Sequence, residues 1–512
     1  MTRELQLFMQ IANKILINTI LQYGRLVINL LISLYSVRLI LKALGPDDYG
    51  IYDVVAGVVA LMGFIEASLS QTSIRFISVS IGSRNIYAIR KSINASFWLH
   101  LFIALITIAI LLFIGYFLFS GFLNISEQRI IAAQVVFYSM CVSVFFQIVC
   151  TPLVALITSH ENFVLLTVIT IFNSLSKLAV AVYISFADSD RLILYGILMA
   201  FITVLNTIMY FIYSLKNYSQ ELHLSRISYE QIKEQVCFAG WTLFDVLGSI
   251  LNRQGYAIMI NKFFGTRINA IFAISRQMEG QMYGVSAAVI DTLKPQIIKS
   301  YGQGNISRMF RLSMTAGKLG FSLMSFICIP LMVMMPQILS IWLGTFPHET
   351  VSFARLMILS CMSEQLTRGL VYANQATGNI KWFSIIVSLI RTLALPVSIV
   401  FCYLGCKPII TICIFLLFET MGSISRIFVI SKLNELHPVF LGKIFLRALL
   451  PFLVVTLVCW AFNSYYNSYA YMLINIGITW LVNIFLLYMF SLTNDERCII
   501  TGYMHSLKKK IC

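Results

Sequence analysis

Residues 41–53 read LKALGPDDYGIYD, a short polar interruption between two long apolar segments. Gly45 can take the left-handed backbone that other residues avoid, Pro46 removes a backbone donor, and the two aspartates suit a helix start. The stretch reads as a tight outer turn between the first two helices, with Asp47 and Asp48 as caps. It also serves as a ruler. Shifted by 220 residues it falls on NKFFGTRINAIFA, residues 261–273, pairing Lys42 with Lys262, Gly45 with Gly265 and Ile51 with Ile271. The register continues without a gap until Ser80, Gly82 and Asn85 lie over Ser300, Gly302 and Asn305, with ten identities between 42–85 and 262–305. Most matches sit towards the two ends of one helix, as an internal repeat requires.

Composition sets the class around that repeat. Of 512 residues, 59% are hydrophobic and 11% charged, against about 45–50% and 25% in a soluble domain. Apolar runs long enough for a hydrocarbon core of about 30 Å recur along the whole chain. They lack the strict alternation of barrel strands. The expected fold is an all-α integral membrane protein of about fourteen helices. Residues 1–215 form an N-terminal six-helix lobe, 216–235 a cytoplasmic linker with an interfacial helix, 236–430 a second six-helix lobe, and 431–512 two extra helices and a tail. Six is even, so the two lobes run in the same orientation, a plan that transporters use with substrate between the halves.

The net charge of +16 follows topology. Basic residues gather in alternate links: Arg84, Arg90 and Lys91, then Lys216, Arg226 and Lys233, then Lys299, Arg308 and Arg311, then Lys432, Lys443 and Lys508–Lys510. The positive-inside rule makes these links cytoplasmic and places both termini inside. No nucleic-acid-binding module is present. The eleven cysteines contain no CxxC pair and read as packing residues, without disulfide or metal roles.

Ionisable residues at bilayer depth cost several kcal/mol and therefore face a partner or a wet cavity. In the first helix Asn18, Gln22, Arg25, Asn29 and Ser33 make one polar stripe. In the seventh, Asp245, Ser249, Asn252 and Tyr256 do the same beside Arg253, and the shift of 220 sets Arg25 over Asp245. Glu66, Lys177, Arg276, Glu279, Glu364, Arg368, Arg391 and Glu419 also lie within spans. Arg276–Glu279 and Glu364–Arg368 read equally as intrahelical ion pairs, and Lys177 and Arg391 equally as interhelical ones. Arg38, Arg75 and Arg426 lie near helix ends, where snorkelling accounts for them. Arg25, Asn29, Gln22, Arg253, Arg276, Lys177 and Arg391 are the candidate substrate-binding residues of a central cavity, because a guanidinium fork matches phosphate oxygens. Asp245, Glu66 and Glu279 are the candidates for a coupling proton or Na+. No phosphate-binding G-x-x-x-x-G-K-[ST] loop is present, so energy must come from a gradient.

The start of the chain resembles bacterial polysaccharide flippases of the MOP superfamily, which also contains the MATE exporters. The pattern is carried by Arg38, Leu41, Leu44, Gly45, Tyr49, Gly50 and Tyr52, followed by Arg75-Phe76. The resemblance implies two six-helix lobes with alternating access. It implies transport of an undecaprenyl-pyrophosphate-linked oligosaccharide, as in O-antigen, capsule or exopolysaccharide synthesis, across the bacterial inner membrane. Cavity arginines would meet the pyrophosphate; Arg25 in the corresponding first helix and Arg253 and Arg276 in the second lobe are the candidates. Membrane lipids and a polymerase of the same pathway are the implied partners, and a monomer is expected. Lipid II is disfavoured because Leu26, not an acidic residue, follows Arg25. A cation-coupled exporter of the same fold is the main rival. A membrane polymerase or ligase would need a large outer loop, and no outer link exceeds about fifteen residues.

The topology is open to a direct test. In a version lacking reactive native cysteines, Asp47→Cys should be labelled by a membrane-impermeant maleimide from outside intact cells. Labelling only after access to the cytoplasm would invert the assignment.

Overall fold

The structure, a computed structural model, describes residues 2–60, 62–122, 126–223, 229–433, 438–465 and 472–491. Arg226 of the expected linker and Lys508–Lys510 of the expected tail lie outside the described residues. Fifteen helices follow in order: α1 (Thr2–Ala60), α2 (Gly63–Gly82), α3 (Ile86–Phe117), α4 (Glu127–Ser159), α5 (Phe163–Ser185), α6 (Arg191–Tyr218), α7 (Tyr229–Gly302) and α8 (Ile306–Val333). Then come α9 (Met335–Leu343), α10 (Glu349–Thr377), α11 (Lys381–Thr392), α12 (Ala394–Tyr403), α13 (Pro408–Leu433), α14 (Pro438–Tyr465) and α15 (Met472–Leu486). No strand occurs among the described residues.

The opening motif is sharper than a turn. Gly45 alone breaks helical geometry inside α1, with φ 76° and ψ 169°. Gly265 does the same inside α7, with φ 81° and ψ 178°. These two breaks are 220 residues apart and nearly identical, and only glycine adopts such a backbone without strain. Asp48, expected as a cap, is engaged by a distant arginine. Asp48 accepts from Arg129 Nε at 2.8 Å, and Arg129 Nη1 reaches Asp190 at 2.6 Å. One guanidinium thus ties together the ends of three helices.

Among the described residues nine helices are long and apolar enough to cross a membrane. The count is ten if Asp47–Val59 and Gly63–Gly82, bent by 45°, form one span. Lys381–Tyr403, comprising α11 and α12, acts as one such span, and Leu446–Ala461 and Ile474–Phe490 are shorter apolar helices. Helix α10 is absent from that set. Its Glu364 and Arg368 pair with each other, and Glu364 also meets Arg391 of α11 and Arg426 of α13.

The chain forms two compact units. The first comprises residues 17–246 with 298–305, the second 247–297 and 306–512 with 1–16. In the first, a core of Val55, Leu111, Val136, Phe137 and Leu192 joins α1, α3, α4 and α6. The start of α7 packs here through polar contacts: Ser68 Oγ donates to the Ala239 carbonyl at 2.8 Å, and Gln235 Nε2 to the Ser92 carbonyl at 3.1 Å. Gly82 and Gly302 press together, since a Cβ on Gly82 would strike the Lys299 carbonyl and one on Gly302 the Val79 carbonyl. Lys299 pairs with Glu161 at 2.8 Å beside them.

The second unit has a core of Phe321, Met324, Met335, Ala354, Ile358 and Phe452. The last two helices seat on α8. Trp480 Nε1 donates to the Phe326 carbonyl at 2.9 Å, and Asn483 Nδ2 to Ser325 at 2.9 Å. Helices α8 and α10 cross at two glycines. A Cβ on Gly317 would strike the Leu366 carbonyl, and one on Gly369 the Ser313 carbonyl. Small residues at such crossings are how apolar helices approach closely where lipid offers no hydrophobic drive.

That crossing predicts a contrast. Gly369→Ala should lower the unfolding temperature of the purified protein by roughly 3 °C or more. Gly57→Ala, where a Cβ meets nothing within 4 Å, should leave it within about 1 °C. Equal melting curves would mean that the crossing has slack.

Candidate functional site

The first unit has an open cavity of about 250 Å³ between α1, α2, α4, α5 and α6. Glu66 and Lys177, two of the sequence-derived candidates, both line it, together with Ser143, Gln147, Thr203 and Tyr52. Lys177 is accessible although it lies in the middle of an apolar span, which is the position of a group that faces a cavity. One turn away on the same face of α5, Ser174 Oγ donates to Asn29 Oδ1 at 2.7 Å, pinning the polar stripe of α1 to α5. Gln22 is buried on that stripe. Arg25 is half-buried there and electrostatically coupled to Tyr210 of α6. The α1 stripe, Lys177 and Glu66 thus belong to one unit, with α5 linking them. The run Ser139, Ser143, Gln147 and Thr151, each four residues apart in α4, is the signal that would have added α4 to this set.

The second unit holds a denser charge cluster. Glu364, 5% exposed in α10, receives three arginines. Arg368 Nη1 reaches its Oε1 at 2.8 Å, Arg391 Nη2 its Oε2 at 3.4 Å, and Arg426 Nη2 its Oε1 at 3.5 Å. Arg391 also pairs with Glu419 at 2.8 Å. Room for the Arg391 stem exists because residue 422 is glycine; a Cβ there would sit 2.8 Å from Arg391 Cγ. Of the two readings of Arg391, the interhelical ion pair is the one observed. The Glu364–Arg368 pair is also present, as one spoke of a larger hub. Arg426 does not snorkel: it is 3% exposed and donates to the Glu364 carbonyl and to Thr367 Oγ1, each at 3.3 Å.

Two further expectations change. Arg276 does not close on Glu279; its Nη1 donates to the Arg253 carbonyl at 3.0 Å. Glu279 is buried, and Arg253 and Arg276 are its nearby positive charges. The polar stripe of α7 is largely used in packing. Asn252 Nδ2 donates to the Arg391 carbonyl at 3.1 Å, and Tyr256 Oη bonds the Ala394 carbonyl at 3.0 Å and Ser398 at 2.7 Å. Asp245 is half-buried and falls in the first unit, while Arg253 falls in the second.

With this geometry in place, comparison with known proteins identifies the fold. A MATE structure in the bent conformation superposes with a TM-score of 0.71 at 13% identity, covering 82% of this chain and 96% of that one. The fold is that of the MATE transporters. The MATE transporter ClbM in complex with Rb+ gives a TM-score of 0.67 at 15% identity, over 84% of this chain and 96% of that chain. A MOP superfamily transporter from Pyrococcus furiosus gives 0.66 at 14% identity, with the same coverage. The MatE family model matches residues 25–183, from Arg25 into α5. No curated protein matches the sequence. The cavity lining from Tyr52 to Lys177 lies inside the matched segment, whereas Gly196, Met199 and Thr203 of its α6 wall and the arginine hub of the second unit lie beyond it.

Charges that hold the fold and charges that face open space should respond differently to deletion. Glu419→Gln removes the 2.8 Å ion pair to Arg391. It should cost about 3–5 kcal/mol, as breaking a buried pair does, and sharply lower the melting temperature. Lys177→Ala, at an accessible site, should change stability by about 1 kcal/mol or less. Calorimetry on the purified variants decides; a reversed order would exchange the two roles.

Proposed function

We propose that the protein is a flippase that moves undecaprenyl-pyrophosphate-linked oligosaccharide from the cytoplasmic to the periplasmic leaflet by alternating access. The observation behind this reading is the sign of the interior. Around Glu279, Glu364 and Glu419 lie Arg253, Arg276, Arg368, Arg391 and Arg426, an excess of guanidinium over carboxylate at membrane depth. The first unit adds Arg25 on the α1 stripe and Lys177 in a cavity with Gln, Ser and Thr side chains that suit sugar hydroxyls. Cations in such a place favour an anionic cargo, and guanidinium favours phosphate. For the Pyrococcus furiosus transporter of this fold, a reverse polarity of the binding pocket suggests a different function. By the same reasoning, polarity is the property that sorts cargo here. The proposal includes a bacterial inner membrane with both termini cytoplasmic, a coupling proton or Na+ at Glu66, Asp245 or Glu279, and a polymerase of the same pathway as partner.

A second reading has its own support. The structures that superpose include a multidrug resistance MATE transporter, and Glu66 places a carboxylate in the first-unit cavity. A cation-coupled exporter of organic cations would use that carboxylate, with Lys177 set against it.

Proteoliposomes separate the two. A fluorescent polyprenyl-diphosphate oligosaccharide should cross from one leaflet to the other, as read by its accessibility to a membrane-impermeant quencher. Arg25→Ala should slow it by about tenfold or more and Arg25→Lys by less, the scale of one charge-assisted phosphate contact. Gradient-driven movement of a cationic dye with no lipid translocation would establish the exporter instead.

A further inference from the structure

We infer that Arg368 is a binding residue for a phosphate-type anion in the second unit, with Glu364 as its built-in stand-in for that anion. The inference rests on the flippase reading for the identity of the cargo, and on the hub itself for the site. The hub sets three guanidiniums, Arg368, Arg391 and Arg426, against two carboxylates, Glu364 and Glu419, and so keeps one positive charge in excess. The nearby Asp291 and Lys294 cancel. Asp291 accepts from Tyr372 Oη at 2.8 Å, and Lys294 lies over the same ring at 4.9 Å.

The excess charge has a definite place. Arg426 has 4% of its side chain accessible and is held by three contacts in the hub. Arg391 has 14% accessible and is anchored by both carboxylates. Arg368 has 25% accessible, and its Nη1 bond to Glu364 is its one hydrogen bond among the described residues. A guanidinium has five N–H donors in a planar fork. The remaining donors have no hydrogen-bond partner among the described residues, and the guanidinium stacks on the Tyr283 ring, 4.8 Å from its centroid. A flat cation that is stacked, oriented and under-bonded at membrane depth is prepared for a second planar or tetrahedral anion.

The neighbouring face of α7 agrees. Gln277, Gly280, Gln281 and Asp291 are accessible along it, and a Cβ at Gly280 would meet nothing within 4 Å. Such a surface leaves room for a polar group and gives lipid tails little to bind. Glu364 orients Arg368 when no cargo is bound, and an incoming phosphate oxygen then shares the fork.

The test is direct binding to the purified full-length protein in a neutral detergent, by calorimetry, with inorganic pyrophosphate and farnesyl diphosphate as probes. Both should bind the wild type, more weakly as chloride rises. Arg368→Gln should weaken both by about tenfold or more. Arg368→Lys, which keeps the charge without the fork, should weaken them by less and serves alone if the Gln variant does not fold. Unchanged affinity in the variants, or no binding of either probe to the wild type, overturns the site. If farnesyl diphosphate binds undiminished in Arg368→Gln but is weakened by Arg25→Ala, the Arg368 site falls and the flippase reading stands. If pyrophosphate binds through Arg368 and farnesyl diphosphate does not, the anion site stands and the lipid cargo falls.

Discussion

A charge at membrane depth must find an opposite charge, and in the second unit one carboxylate, Glu364, meets that need for three arginines at once. Desolvating so many ions costs several kcal/mol for each, and their attraction repays it only in close geometry. The rest of that unit is arranged to allow this geometry. Gly422 makes space for the Arg391 stem, Thr367 and the Glu364 carbonyl absorb the spare donors of Arg426, and Tyr283 stacks under Arg368. Helix α10 tolerates charges that would keep it out of lipid because α11 and α13 supply the partners.

The first unit solves the same problem by another route. Lys177 and Glu66 are separated by a cavity instead of being joined in a pair, and hydroxyl and amide groups line the space between. Water or cargo, rather than a counter-ion, then has to solvate them. The two units share a helix plan and use their charges differently: one locks most of them into a scaffold, the other leaves them facing open volume.

Much of this was legible in the sequence because it depends on local rules. Glycine is nearly alone in tolerating φ near +80°, so Gly45 and Gly265 gave away both helix breaks and the shift between them. Apolar run length revealed the spans. What stayed hidden depends on partners distant in sequence. Arg426 read as a helix-end residue because nothing in its own helix announces Glu364, 62 residues earlier. Asn252 and Tyr256 looked like a cavity stripe because a polar side chain bonding a neighbour's carbonyl has the same helical spacing as one facing water. Asp48 read as a cap because its true partner, Arg129, comes 81 residues later. Periodicity finds which face is polar; only the fold shows what that face meets.

The single-residue breaks at Gly45 and Gly265 have a mechanical consequence. Most other helices are joined by two or more residues, although Met334 alone joins α8 to α9 and Leu393 alone joins α11 to α12. At these two points the whole connection is one φ and one ψ. A rotation of one helix against the next there is confined to that pair of dihedrals, and glycine leaves them free to change. Any change in tilt is concentrated at one residue, which makes the two glycines the natural pivots about which to measure any motion of this chain.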